Sequence, residues 1–171
     1  CGVTEKRQNM VDKKDNFTLN NAKVEPGTVW NGELELSEGQ ICLPATILHG
    51  EKKGKTVLIT AGVHAGEYVG VQAAIELSQQ LKIEKVAGTV ILVKVVNRPA
   101  FEKRKGSMGL TDAKNLNRVF PGSPDGTEME RLAWAVSQEL QPVADYYIDL
   151  HGGDDYETLT PYVYYAGVAP E

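Results

Sequence analysis

Two continuous apolar runs, Val57-Leu58-Ile59-Thr60 and Thr89–Val96, limit what this chain can fold into. Between them, Glu67–Leu81 places Val71, Ala74, Ile75, Leu77 and Leu81 on one helical side. Apolar runs without alternation fit strands covered on both faces, and a helix between two of them returns the chain so that they pair in parallel. The sequence therefore predicts an α/β fold with a mixed, mostly parallel sheet flanked by helices. Earlier runs at Gly27–Leu36 and Ile41–Leu48 read as strands; the second is linked through Gly50 and Gly54 to Thr56–Thr60, an antiparallel start to the sheet. A later helix begins at Thr127, with Glu130 three residues on as a capping box, and continues through Leu132, Ala133, Val136 and Leu140. Tyr146–Leu150 reads as a further strand and Tyr162–Tyr165 as a candidate for one more.

Residues 1–16 are charged or polar and show no apolar period, so they are expected to form a flexible N-terminus ahead of one domain over residues 17–171. Residues 97–126 carry many Asn, Arg, Gly, Pro and Asp and no clear period; a loop of that length in a compact domain is usually functional or disordered.

A net charge of −5 with both signs interspersed offers no basic face for nucleic acid or anionic lipid. No apolar run approaches the roughly 20 residues that a membrane-spanning helix needs. Cys1 and Cys42 allow at most one disulfide and no cysteine-rich metal spacing. These features favour a cytoplasmic protein. Cys1 ahead of a polar tether keeps a lipid-anchored or secreted alternative open, and a homo-oligomer is left open as well.

Two of the three histidines fall where an α/β sheet binds its ligands. His64 and Glu67 follow the strand ending near Thr60, and His151 directly follows Tyr146–Leu150, so all lie at carboxyl ends of strands. The i, i+3 spacing of His64 and Glu67 lets both converge on one ion. Two imidazoles and one carboxylate with an open fourth position form a known catalytic zinc set, in which bound water falls to a pKa of about 7. Against this, Glu67 is also a plausible helix-start residue stabilised by the dipole. His49, in His49-Gly50-Glu51-Lys52-Lys53-Gly54, reads as a solvated hairpin histidine. Asp149 projects to the same side of its strand as His151, where it would orient that ligand from behind, face the substrate, or serve a structural bond. Arg118, after Asn117, has the fork that binds a carboxylate with two parallel hydrogen bonds. Arg98 and Arg104 are candidates to polarise a carbonyl or are solvated charges, and Glu130 is a cap partner.

Four segments in order, Thr60-Ala61-Gly62-Val63-His64-Ala65-Gly66-Glu67-Tyr68, Asn97-Arg98-Pro99-Ala100-Phe101, Asn115-Leu116-Asn117-Arg118-Val119-Phe120-Pro121-Gly122 and Asp149-Leu150-His151, resemble the succinylglutamate desuccinylase/aspartoacylase family of the zinc carboxypeptidase-like group. The resemblance implies a zinc amidohydrolase that removes an N-acyl group from an amino acid or related small amide carrying a carboxylate. It implies His64, Glu67 and His151 as zinc ligands, Asn117 and Arg118 at the substrate carboxylate, and Arg104, ahead of Arg98, at the scissile carbonyl. The family's general base is a glutamate well beyond the third ligand. Only Glu157 and Glu171 follow His151, neither in a matching context, so the base is expected outside this chain and the C-terminal part of the catalytic domain is expected to be missing. Two alternatives stand beside the deacylase: a metallocarboxypeptidase acting on peptides, and a zinc-binding module without turnover.

Overall fold

A computed structural model describes residues 15–154 and 157–164. Cys1, most of the expected flexible terminus, Tyr165 and Glu171 lie outside the described residues. The elements are β1 (Phe17–Leu19), β2 (Ala22–Val24), β3 (Thr28–Leu36), β4 (Ile41–His49), β5 (Lys52–Ala61), α1 (Tyr68–Gln80), β6 (Ala87–Val93), α2 (Arg98–Glu102), α3 (Glu128–Ala135) and β7 (Tyr146–Leu150). The β1–β2 pair is a small antiparallel hairpin, and the others form a five-stranded sheet in the order β3-β4-β6-β5-β7. The sheet is mixed, as expected, with antiparallel β3–β4 and β4–β6 and parallel β5–β6 and β5–β7.

The apolar runs become the covered centre of this sheet. Along β5 and β6, Leu58 and Ile91 face one side and Ile59 and Leu92 the other. On the first side they join Leu34, Leu43 and Ile47 and pack against Met129, Leu132, Ala133, Val136 and Leu140, carried by α3 and the wider helical turn Val136–Leu140 that extends it. On the second side Leu77 and Leu81 of the α1 region cover Leu48, Ile59 and Leu92. Each fully buried side chain of this size stabilises the fold by about 1.5–3 kcal/mol. At the start of α3 the Glu130 side chain accepts from the Thr127 backbone N–H at 2.8 Å, the cap the sequence announced. Lys114 also donates to Glu130 at 2.8 Å; this bond first, with those from Thr127, holds the carboxyl down at about 2. The pairing is complete above the ordinary carboxylate range and is lost as pH falls through about 2.

Four expectations are corrected. The β4–β5 link is not a simple hairpin, because β6 inserts between the two strands. The link crosses the start of β6 at Gly50, where a Cβ would collide with the Val86 carbonyl. His49 is therefore an interior strand residue, 2% exposed and opposite both Thr28 and Thr89. Its Nε2–H donates to the Asp15 carbonyl at 3.0 Å, so its Nδ1 accepts from the Thr89 hydroxyl at 2.8 Å, and the ring packs 5.7 Å from that of Phe17. The segment ahead of β1 is thus tied to the sheet at Asp15, inside the stretch expected to be loose. Finally, Tyr162–Tyr164 is exposed and forms no strand.

Parallel pairing of β5 with β7 sets Ala61 opposite Leu150, so the chain leaves both strands side by side at their carboxyl ends. Helix α1 starts at the same edge and lies so close to β7 that a Cβ on Gly70 would stand 2.8 Å from the Leu150 carbonyl. Gly70→Ala is expected to push α1 off β7 and to cost on the order of 1–3 kcal/mol, read as a lower urea midpoint at unchanged slope. An unchanged midpoint would show that the close approach has slack.

Candidate metal centre at the carboxyl ends of β5 and β7

Glu67 occupies the N-cap position of α1 but makes no side-chain cap bond. Its carboxylate turns inward, 8% exposed as a residue, and meets three nitrogens: His64 Nδ1 at 2.7 Å, His151 Nδ1 at 2.8 Å and the Gly152 backbone N–H at 2.9 Å. Glu67 is thus a helix-start residue, as one reading of the sequence had it, with its carboxylate bonded to the two histidines and Gly152. A buried carboxylate requires such partners. The two imidazole rings stand edge to face, 5.0 Å between centroids. One ligand atom from each of His64, Glu67 and His151 lies within 4.8 Å of the others, close enough to share one ion.

The far nitrogens of both rings are anchored. His151 Nε2 lies 2.6 Å from Asp149 Oδ2, and His64 Nε2 lies 3.0 Å from Asn115 Oδ1. Each ring thus has an acceptor at both nitrogens, Glu67 at Nδ1 and Asp149 or Asn115 at Nε2; when an ion replaces the Nδ1 hydrogen, the Nε2–H remains on its anchor and the Nδ1 lone pair serves the ion. A donor set of two such Nδ1 atoms and one carboxylate, with anchoring acceptors behind, fits zinc. Asp149 is itself fixed: the Thr60 hydroxyl donates to its Oδ1 at 2.6 Å, so the Tyr147 hydroxyl donates to Thr60 at 3.0 Å. Although the Tyr147 residue is 39% exposed, desolvation at its hydroxyl end and then the Asp149 charge push it up to about 12, so it keeps that proton. The bond to Asp149, aided by the charges of Asp149 and Glu67, raises His151 to about 9 despite its partial burial. An ion taken at Nδ1 displaces the proton held there.

The remaining predicted residues are less tightly gathered. Asn117 and Arg118 lie exposed on a 3-10 turn, Leu116–Arg118, and Arg118 Nη1 donates to the Asn117 carbonyl at 3.0 Å. Asn115, which precedes that turn, ties it to His64 and was given no role by sequence reasoning. Its signal was an Asn directly ahead of a short turn, the usual capping position. Arg104 is exposed, with a backbone φ of +52°, beside a shallow groove shared with Tyr68, Phe101 and Glu102. Tyr68 of this groove is the residue after Glu67 and the first of α1. Arg98 pairs with Glu33 and with Glu102, the latter at 2.7 Å, which commits it elsewhere. Glu157 is exposed, its backbone N–H bonded to the Asp154 carbonyl. A larger cavity, about 670 Å³, is lined by Cys42, Arg98, Met129 and Trp134 among others and includes none of the histidines; the donor chemistry, not cavity size, locates the site.

Comparisons with known proteins give matches in both sequence and fold. The succinylglutamate desuccinylase/aspartoacylase catalytic-domain model matches residues 53–167. N-alpha-acetyl-L-2,4-diaminobutyric acid deacetylase of Halomonas elongata is 38% identical over 129 residues, which cover 75% of this chain and 37% of that protein. Among solved structures, the succinylglutamate desuccinylase/aspartoacylase of Rhodobacter sphaeroides superposes with a TM-score of 0.66 at 31% identity, over 82% of this chain and 41% of that one. The product-bound ectoine utilization protein EutE (DoeB) of Ruegeria pomeroyi gives 0.65 at 33% identity, over 82% and 41%. The chain thus spans about two fifths of the length of these relatives.

The chain is expected to bind about one zinc ion, and His64→Ala or His151→Ala is expected to remove it, since loss of one of three protein ligands cripples affinity. Metal analysis after dialysis checks this; equal zinc in all three proteins would sink the ligand assignment.

Proposed function

Because the chain belongs to the succinylglutamate desuccinylase/aspartoacylase family, we propose that it forms the metal-binding part of a zinc-dependent deacylase acting on small N-acyl amino acids or related amides with a carboxylate. The observation that carries this reading is the buried Glu67 carboxylate shared by the Nδ1 atoms of His64 and His151, with each Nε2 held from behind. A zinc ion held by His64, Glu67 and His151 would supply a lowered pKa for water and polarisation of an amide carbonyl. Asp149, fixed by Thr60, holds the His151 ring in orientation. Arg118, with Asn117, receives the substrate carboxylate through its two-pronged guanidinium, which sets the scissile amide against the metal centre. Arg104, beside the Tyr68–Phe101 groove, is assigned to the carbonyl oxygen, where a cation offsets developing negative charge. No helix among the described residues is long and apolar enough to cross a membrane, consistent with small polar substrates met in solution.

Proton transfer to the leaving amine needs a positioned acid that alternates as a base. Among the described residues, the carboxylates bonded to the histidines are Glu67 and Asp149, and both are already committed. On this reading the described residues supply the metal and carboxylate binding, and neither carboxylate held at the histidines serves as that acid.

Arg118→Ala is expected to weaken binding of an N-acetyl amino acid to the zinc-loaded chain about 10- to 100-fold, the equivalent of a lost charge-assisted bidentate contact, while leaving zinc content unchanged. Calorimetric titration measures it, and identical affinities would return Arg118 to the solvated surface. The zinc-loaded chain is further expected to hydrolyse N-acetyl and N-succinyl amino acids at least about 10²-fold more slowly than the longer relatives, because Glu67 and Asp149 are both held by the histidines and neither is free to act as the acid–base group. Comparable turnover would place that group within these residues, with Glu157 first to be tested.

A further inference from the structure

Asn115 stands between the metal centre and the turn that carries Asn117 and Arg118. Its Oδ1 accepts the His64 Nε2–H at 3.0 Å and the Asn117 backbone N–H at 2.9 Å. It is also the N-cap of the Leu116–Arg118 turn, and Leu116 is fully buried beneath it, so the cap rests on the core. Both incoming groups are donors, which an amide nitrogen cannot accept, so the network admits one orientation of the Asn115 amide. One oxygen thus holds the His64 Nε2–H, which keeps its place when an ion takes Nδ1 from the Glu67 side, and fixes where the turn begins.

We propose that Asn115 is a positioning residue that couples metal binding to substrate-carboxylate binding. It holds His64 in the Nε2–H form, leaving Nδ1 for the ion, and holds the Asn117–Arg118 turn in register with that ligand. This inference rests on the metal reading above. The two histidines are anchored differently: a carboxylate stands behind His151 and a neutral amide behind His64. An amide orients the ring without adding a third carboxylate beside Glu67 and Asp149. Acceptors behind a ligating imidazole contribute about 10- to 100-fold to metal affinity.

The experiment compares the unmutated chain, Asn115→Leu and Asn115→Asp by zinc titration against a chelator and by NMR of the zinc-loaded proteins. Asn115→Leu is expected to weaken zinc about 10- to 100-fold, to lose the slowly exchanging His64 Nε2–H resonance, and to speed hydrogen exchange at the Asn117 amide. Asn115→Asp keeps an acceptor for both donors and caps as well as Asn. It is expected to retain the resonance, shifted further downfield by a charge-assisted bond, to retain Asn117 protection, and to bind zinc at least as tightly. Should the leucine variant not fold, the aspartate variant decides alone: an unmoved Nε2–H resonance would show that Asn115 does not hold His64. Unmutated affinity in Asn115→Leu overturns the anchoring role, and loss of zinc with an undisturbed Asn117 amide overturns the coupling. Absence of zinc from the unmutated chain overturns the metal reading itself and this inference with it.

Discussion

A carboxylate buried at 8% residue exposure at the head of a helix is costly unless donors surround it, and Glu67 is surrounded from two directions of the chain. His64 reaches it from the loop after β5; His151 and the Gly152 N–H reach it from the end of β7. Those groups meet because β5 and β7 run parallel in register, Ala61 opposite Leu150, and because α1 packs against β7 at Gly70 closely enough to bring Glu67 over both strand ends. Removing any one of these arrangements leaves a buried charge without its partners. The local geometry of the site is therefore a consequence of the sheet's pairing order rather than of the loop sequences alone.

A further layer of bonds keeps the two imidazoles from turning away. On one side the chain of Tyr147 to Thr60 to Asp149 to His151 runs across β5 and β7. On the other, Asn115 reaches His64 from a loop 51 residues later. The first anchor is built into regular structure, and the second depends on the long segment between β6 and α3. That segment is held in turn by α2, by the buried Leu116 and by Lys114 pairing with Glu130. On the proposed reading, metal ligands would sit on rigid strand ends and the carboxylate-binding residues on an exposed turn, a division in which the rigid part positions the chemistry and the turn sets what it acts on.

Much of this was legible because it rests on periodicity. The β5 and β6 runs, the α1 side, the Thr127–Glu130 cap and the strand ahead of His151 all follow from patterns of apolar residues or end signals. What was not legible depends on partners distant in the chain. His49 looked solvated because its glycines read as a hairpin, whereas β6 inserts beside it and Asp15 closes over it. The β1–β2 hairpin escaped because strands of three residues are too short to show alternation; the Asn20-Asn21 pair between Phe17–Leu19 and Ala22–Val24, with Asn20 at φ +49°, was its one signal. Asn115 showed only a local signal, an Asn ahead of a short turn, whereas its contact with His64 lies 51 residues away in the chain.

Anomalous diffraction from zinc-soaked crystals tests the central claim most directly, because it locates the ion and its ligand atoms without reference to turnover. The account predicts a single strong peak about 2.0–2.2 Å from His64 Nδ1, a Glu67 carboxylate oxygen and His151 Nδ1, with Asn115 and Asp149 still bonded to the Nε2 atoms. Zinc bound through either Nε2, or bound elsewhere with Glu67 still bridging the two histidines, would contradict it.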